Sequence, residues 1–122
     1  MIKFLNLYHQ YLSIQSEIDQ VIRSTIENSA YIGGAALKEF ETAFADYQQA
    51  KHCVGVGNGT DALEIAIEAL ELPTGSEIIV PSNSFISSSE AVTRCGHKVV
   101  FADIDPDTYT ISLEDTARLI GP

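Results

Sequence analysis

The stretch His52–Leu70, HCVGVGNGTDALEIAIEAL, sets a short β-like run against a glycine-rich turn that opens directly into a helix. A loop of this shape is suited to phosphate. The first amides of a helix lack internal acceptors, and the helix dipole favours an anion there. Gly59, Thr60 and Asp61 supply such amides, Thr60 adds a hydroxyl, and Gly57 and Gly59 permit a tight turn with open approach. The same residues also describe an ordinary strand-to-helix turn with Thr60 or Asn58 as its N-cap. Two better-known phosphate loops fit poorly. Gly55 and Gly57 begin a G-x-G-x-x-G fingerprint, but Thr60 occupies the place of the third glycine. A ribose-binding acid is also missing from the far end of the second strand, since Glu77 lies at its near end. A Walker loop requires G-K-[ST], and no lysine follows a glycine here.

Outward from this stretch, apolar periodicity predicts helices on both sides. Tyr11, Ile14, Ile18, Val21, Ile22 and Ile26 recur at helical spacing between Tyr8 and about Asn28. The turn YIGG, Tyr31 to Gly34, ends that helix, and Leu37, Phe40, Phe44 and Tyr47 line one face of the next. The run Cys53–Val56 reads as a strand and Thr60 to Glu71 as a third helix. On that helix Glu64, Glu68 and Glu71 form the expected wet face, and Leu63, Ile65, Ala66, Ile67 and Leu70 imply that the rest is largely buried. Ile78–Val80 is a short apolar strand stopped by Pro81. SSSEAVTRCG follows as a helix with a capping-box pattern, Ser87 to Glu90, and a terminal Gly96. KVVFADI is the next strand, DPDTY a turn, and Ser112–Asp115 the cap of a last helix that stops at IGP.

The order helix, helix, β-α-β-α-β-α implies an α/β fold with mainly parallel strands. Right-handed crossovers would bring three strand ends to one edge: Gly55–Gly59, Pro81–Phe85 and Asp103–Asp105. Ligands of open α/β sheets sit along that edge. Phe85 is notable there, an aromatic set among small polar residues in PSNSFISSSE. It either offers a flat face to a planar ring or tucks beneath the following helix.

Composition bounds the alternatives. The 122 residues suit one domain, and 45% hydrophobic with 20% charged residues is ordinary for a globular protein. A formal net charge of −10 with seven scattered basic residues argues against a nucleic-acid surface. No apolar run is long enough to span a bilayer, and the N-terminus lacks a secretory pattern, so a cytoplasmic setting is expected. Cys53 and Cys95 are expected as buried, unpaired thiols. His9, His52 and His97 are far apart and show no metal-ligand spacing.

The combination VGVGNGTDALEIAIEAL, EIIVPSNSFISSSEAV and KVVFADIDPDTYTI closely resembles the opening of the DegT/StrS-type sugar aminotransferases, which are fold type I pyridoxal-phosphate enzymes. FLNLYHQYLSIQSEIDQVIRSTIENSAYIGG resembles that family's N-terminal helix and aromatic-Ile-Gly turn, and LKEFETAFADY resembles the helix after it. The resemblance covers essentially the whole chain. It implies an N-terminal helix and turn over 1–34, and over 35–122 the first part of the cofactor-binding large domain, truncated. It implies that the turn at Gly59, Thr60 and Asp61 holds the phosphate of pyridoxal phosphate, that Phe85 stacks on the pyridine ring, and that Ser88 lies close to the cofactor. Ser84 stands where the family usually has threonine. Tyr31–Gly34 matches a turn near a dimer partner's active site, and Asp103 and Asp105 match a D-x-D-P segment that is structural in the family.

The implied activity is transfer of an amino group from an amino-acid donor, such as glutamate, to a keto-sugar nucleotide, by a homodimer. Some relatives are dehydratases that replace the Schiff-base lysine with histidine. Transamination also requires that lysine and a carboxylate for the pyridine nitrogen, which in the family lie downstream of the stretch matched here. Lys3, Lys38, Lys51 and Lys98 fall on helix faces, a strand start or the terminal arm, and none falls at a strand end. The resemblance therefore implies no catalytic residue here. The chain is expected to be inactive alone, and either to associate or to be marginally stable. A non-catalytic interaction module and an independent nucleotide-binding domain are the competing readings.

Overall fold

The computed structural model describes residues 4–121. The expectations for Lys3 and for the stop at Pro122 lie outside the described residues. The chain divides into two compact units, Met1–Gly55 and Val56–Pro122.

The first unit holds two helices, α1 (Leu7–Glu27) and α2 (Ala35–Tyr47). Asn6 caps α1 by accepting from the His9 amide. The helix departs from helical geometry at Ile14, where the neighbouring Ser13 hydroxyl donates to the Gln10 carbonyl at 2.6 Å. The Tyr31–Gly34 turn is exposed; α1 has already ended at Glu27, with Ser29 at positive φ, and Gly33 and Gly34 also take positive φ, with Gly34 at the N-cap position of α2. The expected strand Cys53–Val56 does not form. The Gly55 amide, which a strand would use for pairing, donates instead to the Glu41 carboxylate of α2 at 2.8 Å.

The second unit runs α3 (Gly59–Glu68), β1 (Glu77–Pro81), α4 (Ser87–Arg94), β2 (Lys98–Ala102) and α5 (Leu113–Leu119). The two strands are parallel, in register from Glu77 opposite Lys98 to Pro81 opposite Ala102. The Ser82 amide extends the ladder by donating to the Ala102 carbonyl at 2.8 Å, so pairing runs past the expected stop at Pro81. α4 connects the strands and packs on both of them, α3 packs on α4, and α5 packs on β2. The core of this unit is Val80, Ala91, Val92 and Ala102. Small residues at these points let helix and sheet approach closely, and Val92 is the largest side chain that is fully buried.

Two expectations about helix faces need correction. Glu64 is not on a wet face; it is half-buried, with a carboxylate oxygen 2.6 Å from the Arg94 guanidinium of α4. Nor is α3 largely buried, since Leu63 is 42% and Ile65 49% exposed. Within this unit α3 packs chiefly on α4, which covers only the side that carries Glu64. Both cysteines are free and half-buried rather than buried. Cys95 caps the end of α4, and burial, with Glu68 and Glu64 nearby, pushes its thiol pKa up.

Candidate functional site

Asn58 sets the start of α3. It is extended, and its side-chain oxygen accepts from the Asp61 amide at 3.0 Å. Its Nδ2 donates to the Asp61 carboxylate, also at 3.0 Å, so two side chains lock the turn from both sides. The Asp61 carboxylate folds back over Gly57. A Cβ at Gly57 would lie 2.8 Å from Asp61 Oδ2, which is why a glycine serves there. The Asp61 amide, one of the three expected phosphate donors, is thus already engaged. Gly59 and Thr60 occupy the first two helical positions, whose amides have no acceptor within the helix. A Cβ on Gly59 would meet nothing within 4 Å, so the space beside its Cα is open.

The second contribution comes from the N-terminus of α4. The expected capping box, Ser87 to Glu90, is not made. Ile86 already turns helically, and the carbonyls of Phe85 and Ile86 accept from the amides of Ser88, Ser89 and Glu90. Those bonds replace a side-chain cap and release the Ser87 hydroxyl. It lies 2.8 Å from the Thr60 hydroxyl, which joins the beginnings of α3 and α4. Ser87 is buried, with 9% of its surface accessible, and Thr60 is half-buried. A second hydroxyl pair, Ser84 with Ser88 at 2.9 Å, spans the turn between β1 and α4. Phe85, in the middle of that turn, is 77% exposed, so it is not tucked beneath α4.

The neighbouring strand end is built differently. The Asp103 carboxylate accepts from the Ile104 amide, and the Asp105 carboxylate accepts from the amides of Asp107 and Thr108, both at 2.9 Å. These two backbone bonds hold the Asp105 carboxyl below the usual carboxylate range. Asp115 of α5 accepts from the Asp103 amide at 2.7 Å and pairs with Arg118, and its carboxyl is lowered by those partners in that order. Asp103 and Asp105 therefore spend their carboxylates on folding the loop. Lys98 stands at the start of β2, and a strand of five residues spans about 16 Å, so its backbone lies far from the strand end where Asp103 begins.

Of the residues singled out in the sequence, the structure gathers Gly59, Thr60 and Asp61 at the start of α3, with Phe85 and Ser88 at the start of α4. Ser87 joins the two and was missed as a site residue. Its pattern, Ser-x-x-Glu before an apolar run, pointed to a cap.

The sequence model of the DegT/DnrJ/EryC1/StrS aminotransferase family matches residues 12–122. The chain is 39% identical over its full length to the UDP-2-acetamido-2-deoxy-3-oxo-D-glucuronate aminotransferase of Pseudomonas aeruginosa, and covers 34% of that relative. Its structure superposes on that of S. venezuelae DesV in complex with a ketimine intermediate with a TM-score of 0.95 and 34% identity, over 99% of this chain and 33% of that one. The E. coli GDP-4-keto-6-deoxy-D-mannose-3-dehydratase with bound hydrated PLP matches with a TM-score of 0.78 and 30% identity, over 84% of this chain and 28% of that one. The chain thus spans about a third of the length of these proteins.

Proposed function

Because the chain belongs to the DegT/DnrJ/EryC1/StrS aminotransferase family, we propose that it forms the cofactor-phosphate end of a pyridoxal-phosphate-dependent aminotransferase acting on a keto-sugar nucleotide in amino-sugar biosynthesis. The supporting observation is the junction of α3 and α4, where two open helix amides, at Gly59 and Thr60, lie beside the linked hydroxyls of Thr60 and Ser87. An anion is favoured at such a place by the helix dipole and by unsatisfied donors together. This donor set fits a phosphate group.

In this reading Gly59 and Thr60 hold the cofactor phosphate, and Asp61 closes the turn by its two bonds to Asn58. Phe85 stacks on the pyridine ring, for which its exposed face is available. Ser88 borders the cofactor from the first turn of α4. When bound, the cofactor supplies an electron sink for the chemistry at the substrate carbon. No residue of this stretch is assigned a catalytic role. Residues 1–34 act as the N-terminal helix and turn, and 35–122 as the first part of the cofactor-binding large domain. The partners are an amino-acid donor, a keto-sugar nucleotide and a second copy in a homodimer, in the cytoplasm. Among the described residues no helix is long and apolar enough to cross a membrane.

Protection against proteolysis tests the reading. Titration with pyridoxal phosphate is expected to give saturable protection, and NAD none. Saturable protection by NAD, with none by pyridoxal phosphate, overturns it in favour of a dinucleotide site.

A further inference from the structure

The proposed phosphate site leaves one buried polar group unused. Ser87 is nine-tenths buried, does not cap its own helix, and has its hydroxyl 2.8 Å from that of Thr60. A hydroxyl carries one donor and two acceptor positions. In a pair of hydroxyls, one O–H is spent on the bond and the other is released. If Thr60 donated to Ser87, the released proton would sit on the buried partner. If Ser87 donates to Thr60, the released proton sits on the more accessible one, beside the open amides of Gly59 and Thr60. Only the second arrangement adds a third donor at the mouth of the site. It also polarises the Thr60 O–H, because a hydroxyl that accepts one hydrogen bond donates a stronger one.

We propose that Ser87 is a positioning residue that fixes the Thr60 hydroxyl as a donor to the cofactor phosphate. The inference rests on the functional reading above and adds a direction to it: Ser87 gives, Thr60 relays, and the phosphate receives. Ser87 touches no cofactor atom itself. The bond also ties the start of α4, which carries Phe85 and Ser88, to the start of α3. One hydrogen bond therefore sets the phosphate donor and the spacing between the phosphate and ring ends of the site.

The test is a pair of single variants and their double, Ser87→Ala, Thr60→Val and both, made in the full 122-residue chain. Pyridoxal phosphate affinity is measured by calorimetry and the bound phosphate by phosphorus NMR. Ser87→Ala and Thr60→Val are each expected to weaken binding roughly tenfold, the range for losing a hydrogen bond to a charged group. Both are expected to move the phosphorus resonance in the same direction, and the double variant to match Thr60→Val alone. An additive double variant, or a Ser87→Ala chain that binds less well with an unmoved resonance, overturns the relay and leaves Ser87 as packing. Should Ser87→Ala fail to fold, Thr60→Val carries the test, and an unchanged affinity and resonance there overturns it. Absence of pyridoxal phosphate binding by the parent chain overturns the underlying functional reading instead, and the relay with it.

Discussion

At the scale of single residues, the site depends on where short polar side chains send their hydrogen bonds. Asn58 illustrates the competition at a helix start. Its side chain takes the Asp61 amide, so two open amides remain for a ligand rather than three. Asn58→Ala is expected to cost about 1 kcal/mol of stability, the usual loss of an N-cap, read as a lower urea midpoint with an unchanged slope. A midpoint equal to that of the parent would show that the cap does not hold the turn. Phe85 carries the opposite expectation. Because 77% of its surface is accessible, Phe85→Ala is expected to leave stability within about 0.5 kcal/mol of the parent. In the proposed reading, where Phe85 stacks on the pyridine ring, the same change is expected to weaken pyridoxal phosphate binding by about 1 kcal/mol, or about fivefold. Unchanged binding would remove Phe85 from the site.

At the scale of elements, the loop between β2 and α5 shows charge spent on architecture. The Asp105 carboxylate closes its turn by accepting two backbone amides, and Ile104 bridges back to Ile111. Those bonds hold the native pKa of Asp105 below its unfolded value, so its contribution is complete above the unfolded pKa. It is lost as the pH falls through the depressed native value, on the acid side of about pH 4. Asp105→Asn keeps a side-chain oxygen for the two amides but removes the titration. Its stability is therefore expected to fall less steeply than the parent's below about pH 4 in urea melts across pH. Parallel acid profiles would show that Asp105 does not contribute to the dependence. The α3–α4 pair follows a related logic, in which Glu64 meets Arg94 at 2.6 Å across the helix contact instead of facing water.

At the scale of the molecule, the balance of covered and uncovered apolar surface dominates. Among the described residues the buried hydrophobic core is Ala45, Val80, Ala91, Val92 and Ala102, mostly small side chains. Ile18, Val21, Ile22 and Ile26 of α1, and Phe40, Phe44 and Tyr47 of α2, stay substantially exposed. Apolar stripes of this extent favour association. Sedimentation of the isolated chain is expected to depend on concentration, with binding of a hydrophobic dye that falls as the chain associates. A monomer with a cooperative melt at high temperature would contradict this.

Periodicity, short apolar runs and capping patterns together placed seven expected elements: the helices α1, α2, α3, α4 and α5, and the strands expected at Ile78–Val80 and in KVVFADI, which form as Glu77–Pro81 and Lys98–Ala102. Helical and strand patterns are local properties of neighbouring side chains, so they can be read along the chain. The glycine turn before α3 was legible for the same reason, since it is defined by its immediate neighbours, whereas the sequence left Phe85 open between an exposed face and a place beneath α4, and the structure exposes it. Three features were not legible. The Cys53–Val56 run is β-like by composition, but a strand exists only through a partner, and Glu41 took the Gly55 amide first. Ser87 matched a capping box, yet preceding carbonyls satisfied its helix and freed the hydroxyl for Thr60, 27 positions away. Glu64 had the spacing of a solvated face until Arg94 of a later helix reached it. Local pattern thus determined most of the elements that form and where the glycine turn before α3 lies. Only the tertiary structure decided which donors stay open and which side chains meet, because those outcomes depend on competition between groups distant in sequence.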